Sequence, residues 1–251
     1  MEKYIVKWFF IAFSLVHASS IHATDLLDLY LADAAPLTMD KNQDGYGVVG
    51  DVTLAAITRA GYSSKIQMVP WARAQLLVSR GTNQLIIPLT RTPERESSYT
   101  WIASIMPMER AFFSLDTPVK GFDEARSKYQ RIAVGAGTAQ LEILKNQNFS
   151  DAQIHLLKLG DSPIRMLELG RVDAWFTGVF EGLYTWPNSD VSKISAKLKM
   201  SPVVYSGDLY LACSLNCDAA LVKKLQASVQ SLHADGSIQR IKKTYLRQMP
   251  K

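Results

Sequence analysis

The stretch PWARAQLLVSRGTNQLIIPLTRTPERESSYTW, residues 70–101, decides the fold class, because a helix, a buried strand and a loop of hydrogen-bond donors follow one another in it. Residues 73–80 set Ala74, Leu76, Leu77 and Val78 among polar neighbours, and Gly81 follows where a left-handed C-cap residue is expected. The segment reads as a short helix. Residues 85–89 form a compact apolar run, interrupted by Pro88, of the kind buried on both faces of a parallel sheet. Thr90, Arg91, Thr92 and Arg95 lie at its carboxyl end. Ligands of open α/β sheets bind beyond such strand ends, and these side chains can hold an anion.

Upstream, residues 26–32 (LLDLYLA) alternate as a first strand, with Asp33 at its carboxyl end. A Gly/Asp/Asn loop at 40–50, a helix at 51–60 closed by Gly61, and a strand at 65–69 follow. With residues 70–89 they make a βαβαβ unit, the usual start of a doubly wound sheet. Downstream the pattern restarts. Strands are expected at 111–115, 131–134, 154–159 and 172–177, a helix from Thr138, and a helix at 162–169 stopped by Gly170. Asp218 is placed to cap a helix whose apolar face is Leu221, Leu225, Val229 and Leu232, and a second helix carries Ile238, Ile241 and Tyr245. Two α/β units with a closing helical pair imply two lobes and a cleft.

At 251 residues, 47% hydrophobic and 20% charged, the chain is long enough for one or two cores and unlike a disordered one. Residues 1–23 give Lys3 and Lys7, an apolar run over 8–16, and a polar end at Ala23. This reads as a cleavable signal peptide, and the run is shorter than the roughly 20 residues a membrane anchor needs. The expected location is the periplasm. Cleavage would remove two lysines and one glutamate from 28 basic and 23 acidic residues, leaving 26 and 22, a formal charge of +4. No basic run interleaves with aromatics, so a nucleic-acid partner is excluded. The two cysteines, Cys213 and Cys217, are expected to pair in an oxidising compartment, tying a strand end to the next helix. Only His155 and His233 would remain after cleavage, which leaves no zinc cluster, and no cofactor is expected. Asp40, Asn42, Asp44, Gly45 and Asp51 match a calcium-loop spacing, against which no helix precedes Asp40 and position 12 is Asp rather than Glu.

Taken in order, the strand ending in Asp33, GVVGD (residues 47–51), Pro70 and Trp71, TRTPER (90–95), GAGT (135–138), LELGRVDAWF (167–176) and ADGSIQRIKKTYL (234–246) resemble the periplasmic solute-binding proteins of polar amino acid ABC transporters, family 3. The resemblance implies a type II periplasmic-binding-protein fold: two discontinuous lobes, each with a mostly parallel sheet, joined by two crossings near 105–109 and 206–210. Residues 24–105 with 210–251 would form lobe one and 110–205 lobe two, closing about a hinge. It also implies roles. Arg95 would fork onto a ligand carboxylate beside the hydroxyl of Thr90, and Thr138 would meet the same carboxylate from a helix start. Trp71 would line the side-chain pocket and Asp33 read the ligand's far end. Arg73 and Arg91 read equally as cleft ligands or as solvated rim charges.

One position departs from the family pattern. The second Asp of GRxDAxxxD, which holds the ligand's ammonium group, is Gly178 here. An ammonium closed into a cleft without a counter-charge costs several kcal/mol against about 8 kcal/mol of micromolar binding. Either Glu181 takes that role or the ligand is not an ordinary α-amino acid. Pro88 also replaces a family glycine and removes a backbone donor. The expectation is a monomeric, non-enzymatic binding protein that takes a small carboxylate-bearing solute to an inner-membrane ABC permease. Two alternatives stay open: a dehydratase-like enzyme on this scaffold using Glu181 or Glu168 as acid, and an orphan sensor module.

Overall fold

A computed structural model of the chain describes residues 25–40, 45–157, 161–187 and 197–246. The expected signal peptide lies outside them, and no described helix is long and apolar enough to cross a membrane. The described residues form one mixed sheet ordered β2-β1-β3-β9-β4-β7-β5-β6, with β8 (Lys199–Met200) paired to β4.

The first half holds β1 (Leu26–Leu31), β2 (Ser63–Met68) and β3 (Leu85–Thr90), all parallel, with α1 (Val48–Arg59) and α2 (Trp71–Arg80) as crossovers. The second holds β5 (Ile132–Gly135), β6 (Ile154–Leu157) and β7 (Ala174–Gly178), again parallel. Between them runs an antiparallel ribbon, β4 (Tyr99–Ser114) and β9 (Tyr205–Ser214), paired from Tyr99↔Ser214 to Arg110↔Tyr205. β9 flanks β3, and the end of β4 flanks β7. The expected all-parallel surroundings of residues 85–89 are therefore corrected: β3 is parallel to β1 but antiparallel to β9. The reason is connectivity, since β9 brings the chain back from the second half and must run opposite to its neighbours.

Apolar faces cover both sides of each half. In the first, Leu29, Leu31, Leu85 and Ile87 pack on α1, α7 (Ala219–Ala234) and α8 (Ser237–Leu246), while Tyr30, Ile86 and Leu89 pack on Ala74 and Val78 of α2. In the second, Phe112, Val134 and Phe176 pack with α3 (Phe122–Lys128) and α4 (Ala139–Asn146), and Ala133 and Trp175 with α5 (Pro163–Glu168). Alternation along the strands thus feeds two faces at once, which is why β3 reads as continuously apolar.

Several boundaries differ from expectation. Helix α2 begins at Trp71, because Pro70 supplies a fixed φ of −49° at its N-cap. Gly81 closes it in extended conformation, with φ −85°, and not left-handed; its missing Cβ leaves room for the Gln84 amide. Helix α1 starts three residues early, behind Gly47 at φ 88°, which faces the Leu37 carbonyl where a Cβ would collide. Strand β7 starts late because Asp173 instead accepts the N–H groups of Gln130 and Arg131, each at 2.8 Å. The expected strand at 154–159 ends at Leu157, its last two residues lying outside those described. Asp218 caps α7 and Gly170 stops α5 as expected, while Ser162, expected as the first helical residue, is the N-cap of α5. Cys213 and Cys217 form a disulfide between the end of β9 and the approach to α7.

Candidate functional site

The turns that follow β3 and β5 meet, and β7 ends at Gly178 beside Arg110 of β4. Strand β3 ends at Thr90 and passes into a 3-10 turn (Pro93–Ser98) that carries Arg95. Strand β5 ends at Gly135, and the turn through Gly137, at φ 69°, starts α4 with Thr138 as its N-cap. The two ends are in contact. Arg95, only 7% exposed, donates from Nε and Nη2 to Glu142 Oε1 at 2.9 and 2.6 Å and from Nη2 to the Gly137 carbonyl at 3.0 Å. Thr92 donates to Glu142 Oε2 at 2.8 Å, and Gln75 of α2 to the Gly137 carbonyl at 3.0 Å. Asn146 reaches Glu94 at 2.9 Å on the rim.

The expected site residues therefore divide. Thr90, buried, accepts 2.7 Å from Nη2 of Arg110, a residue the motif matching passed over. Thr138 donates its hydroxyl to the Gly135 carbonyl at 2.7 Å and makes no side-chain cap bond to its own helix. Trp71 opens α2, half-buried against the cluster that holds Tyr30, Ala74 and Val78, with its Cδ1 3.9 Å from where a Cβ on Gly137 would stand. Asp33 and Arg73 are exposed, and their side chains make no hydrogen bond or ion pair to a described residue. Arg91 is a rim charge: it forks onto Glu96 and lies 5.5 Å from the Trp101 ring centroid and 5.7 Å from that of Tyr210. Its pKa is raised by the Glu96 hydrogen bond.

Deeper, at the ribbon, Arg110 is 1% exposed and pairs in register with Gly178 and Tyr205. It lies with its guanidinium carbon 5.5 Å from the Tyr205 ring centroid, and Nη1 also touches the Met108 carbonyl at 3.3 Å. Its Nε has no hydrogen-bond partner, and no carboxylate among the described residues forms an ion pair with it. Burial lowers its pKa to about 10, against the opposing fields of Tyr205 and Glu181, so it stays charged at neutral pH. Glu181, in the first turn of α6 (Val179–Thr185), accepts the Thr177 hydroxyl. Burial raises its pKa, opposed by the Thr177 hydrogen bond and the charge of Arg110.

At Gly178 the Met108 methyl fills the space a Cβ would take. Met108 is itself 3% exposed. A side chain of any kind at 178 would have to displace it.

Of the calcium-loop positions, Asn42 and Asp44 lie outside the described residues, and Asp51 Oδ1 and Oδ2 accept the Tyr46 N–H at 2.9 Å and the Tyr245 hydroxyl at 2.5 Å. No group of three or more His, Cys, Asp or Glu among the described residues could hold a metal ion. Glu168 sits half-buried at the end of α5 and makes no hydrogen bond to the cleft groups. Two surface hollows of about 330 and 440 Å³ lie elsewhere, one beside Asp25, Leu26 and Asp218, the other beside Leu115, Lys128 and Asp173.

Sequence comparison matches residues 29–248 to the profile of the bacterial extracellular solute-binding proteins, family 3. No functionally curated protein matches the sequence. Among solved structures, an ancestral arginine-binding protein bound to arginine superposes with a TM-score of 0.73 at 18% identity, over 89% of this chain and 99% of that one. A putative L-cystine ABC transporter from Listeria monocytogenes gives 0.74 at 16% identity, over 89% and 96%. An ancestral amino acid-binding protein described as a precursor of cyclohexadienyl dehydratase gives 0.71 at 18% identity, over 88% and 94%. At these identities the likeness establishes the fold, that of the type II periplasmic binding proteins.

Proposed function

Because the chain belongs to the bacterial extracellular solute-binding proteins, family 3, we propose that it captures a small polar solute bearing a carboxylate in the cleft between its halves and delivers it to an inner-membrane ABC permease. Residues 24–105 with 210–251 and residues 110–205 are then the two lobes, and β4 and β9 the hinge. It acts as a secreted, periplasmic monomer without a cofactor. The observation that carries the reading is two buried guanidinium groups, Arg95 in the turn after β3 and Arg110 in β4, the second bound to Thr90 at the end of β3. Thr90 and Thr138 lie beside them, Trp71 and Arg73 on the α2 wall, and Asp33 and Glu181 at the outer and inner ends. A planar guanidinium offers paired donors that suit a carboxylate, and each charge-assisted bond is worth about 1.5–3 kcal/mol.

Isothermal titration against a panel of amino acids, keto acids and dicarboxylates tests this. Binding by wild type that falls at least about tenfold in Arg95→Ala, through loss of a ligand contact or of the tie to Glu142, is expected. An absence of binding, or undiminished binding by a folded Arg95→Ala, overturns it.

A second reading is favoured by Glu181, a buried carboxyl with a raised pKa next to a cation, the setting of a general acid. On that reading the protein is an enzyme for a small carboxylic acid. Proton NMR of candidate acids incubated with the protein separates the two, since product accumulation means turnover and unchanged spectra mean capture alone.

A further inference from the structure

Of the two buried cations in the cleft, one is already neutralised. Arg95 gives two hydrogen bonds to the Glu142 carboxylate, which stands where an external carboxylate would have to be placed. Arg110 meets only neutral oxygens, the Thr90 hydroxyl and the Met108 carbonyl, and its buried Nε has no partner. A buried charge without a counter-ion costs several kcal/mol, and a chain retains such a cost where a ligand answers it. The guanidinium is held still for that purpose, pinned by Thr90 on one side and lying near the Tyr205 ring on another.

The neighbourhood also lacks what a cationic ligand group would need. The nearest acidic side chain, Glu181, is tied to Thr177 and shares a field with Arg110. Position 178, directly across the β4–β7 register from Arg110, carries no side chain, and the methyl of Met108 occupies its space. An ammonium group placed there would meet a thioether and a guanidinium, with no free carboxylate.

Resting on the solute-binding reading above, we propose that Arg110 is the anion-binding residue of the cleft, and that its ligand is a small carboxylic acid with no ammonium group. Arg95 then serves with Glu142 as the tie that holds the two halves closed over it. Met108 is the specificity element: its methyl fills the volume in which an ammonium and its counter-charge would sit.

The test is titration calorimetry with matched acids that differ only at the α-carbon: L-glutamate, 2-oxoglutarate and glutarate; L-alanine, pyruvate and propionate; L-phenylalanine, phenylpyruvate and 3-phenylpropionate. At least one acid lacking the amine should bind wild type, with its amino counterpart at least about tenfold weaker. Arg110→Gln should weaken that acid about a hundredfold, and Arg110→Lys should restore part of the loss. The double variant Met108→Ala/Gly178→Asp, which opens the volume and adds a carboxylate, should reverse the preference toward the amino acid. An amino acid that binds wild type better than its deaminated counterpart overturns this inference and leaves the solute-binding reading standing. So does acid binding that a folded Arg110→Gln leaves unchanged. If Arg110→Gln does not fold, an unaltered preference in the double variant overturns it. No binding by any of the nine compounds overturns both.

Discussion

Replacing Glu142 by Gln separates two roles for Arg95, and its effect can be worked from the contacts. The Glu142 carboxylate receives Nε and Nη2 of Arg95 and the hydroxyl of Thr92, with side-chain exposures of 8% for Arg95 and 25% for Glu142. Screening by salt is weak at that burial. Glutamine keeps one carbonyl acceptor and loses the charge, so one charge-assisted bond's worth, about 2 kcal/mol, is removed from the closed arrangement. At about 1.4 kcal/mol per tenfold, the ratio of closed to open forms falls roughly 30-fold. A solute bound only by the closed form loses affinity by up to the same factor. Calorimetry on wild type and Glu142→Gln with the best-binding acid reads this directly, and small-angle scattering of the unliganded proteins reports the accompanying opening as a larger radius of gyration. Tighter binding by Glu142→Gln would refute the reasoning, because it would mean that Glu142 competes with the ligand for Arg95.

Phe112→Ala tests the packing of the second half: Phe112 is 1% exposed and lies 4.8 Å from the Phe176 ring centroid and 5.8 Å from those of Phe122 and Tyr129. It should lower the urea unfolding free energy by about 3–5 kcal/mol with an unchanged slope, and a loss below about 1 kcal/mol would contradict a close-packed cluster. Glu181→Gln tests the buried carboxyl. Since burial raises the folded pKa above the unfolded one, the wild type has its full stability below the ordinary carboxylate range and loses it as pH rises through the folded value. The variant escapes this loss, so its melting temperature relative to wild type should climb between pH 4 and pH 8. A difference that shrinks with pH would mean that the Thr177 bond and Arg110 outweigh burial.

Local signals carried most of the fold. The 2-residue and 3.6-residue periodicities located β1, α2, α7 and α8, and the cap at Asp218 needed only a side-chain oxygen three residues ahead of an N–H. Gly170 and Gly236 sit at positive φ, where glycine has no Cβ penalty. Non-local features were illegible. Strand β4 read only as a fragment at 111–115, and β9 only as a strand end at Cys213; β4 changes surroundings midway, leaving the first-half core at Met108 and entering the second-half core at Ala111. Neither half of such a strand shows its full length as one pattern. The disulfide was legible because the chain has only two cysteines and they stand four residues apart.

The site shows the same division more sharply. Motif position pointed to Thr90, Arg95 and Thr138, but a motif assigns a residue type to a place and says nothing of its partner. Arg95 meets Glu142, 47 residues away on the opposite half, and that pairing changes what Arg95 is free to do. Arg110 had no motif to mark it and lay at the edge of an apolar run, where a single charge reads as the end of a strand. The signal that distinguishes it is geometric: a guanidinium buried to 1% exposure with an unpartnered Nε, set across the β4–β7 register from Gly178. On the proposal above, the open position at 178 and the unpaired guanidinium of Arg110 belong together, since a carboxylate at 178 would lie across the β4–β7 register from Arg110 and could pair with it. On that proposal, a position with no acidic side chain leaves an ammonium group without a partner and leaves the cation to an anionic ligand.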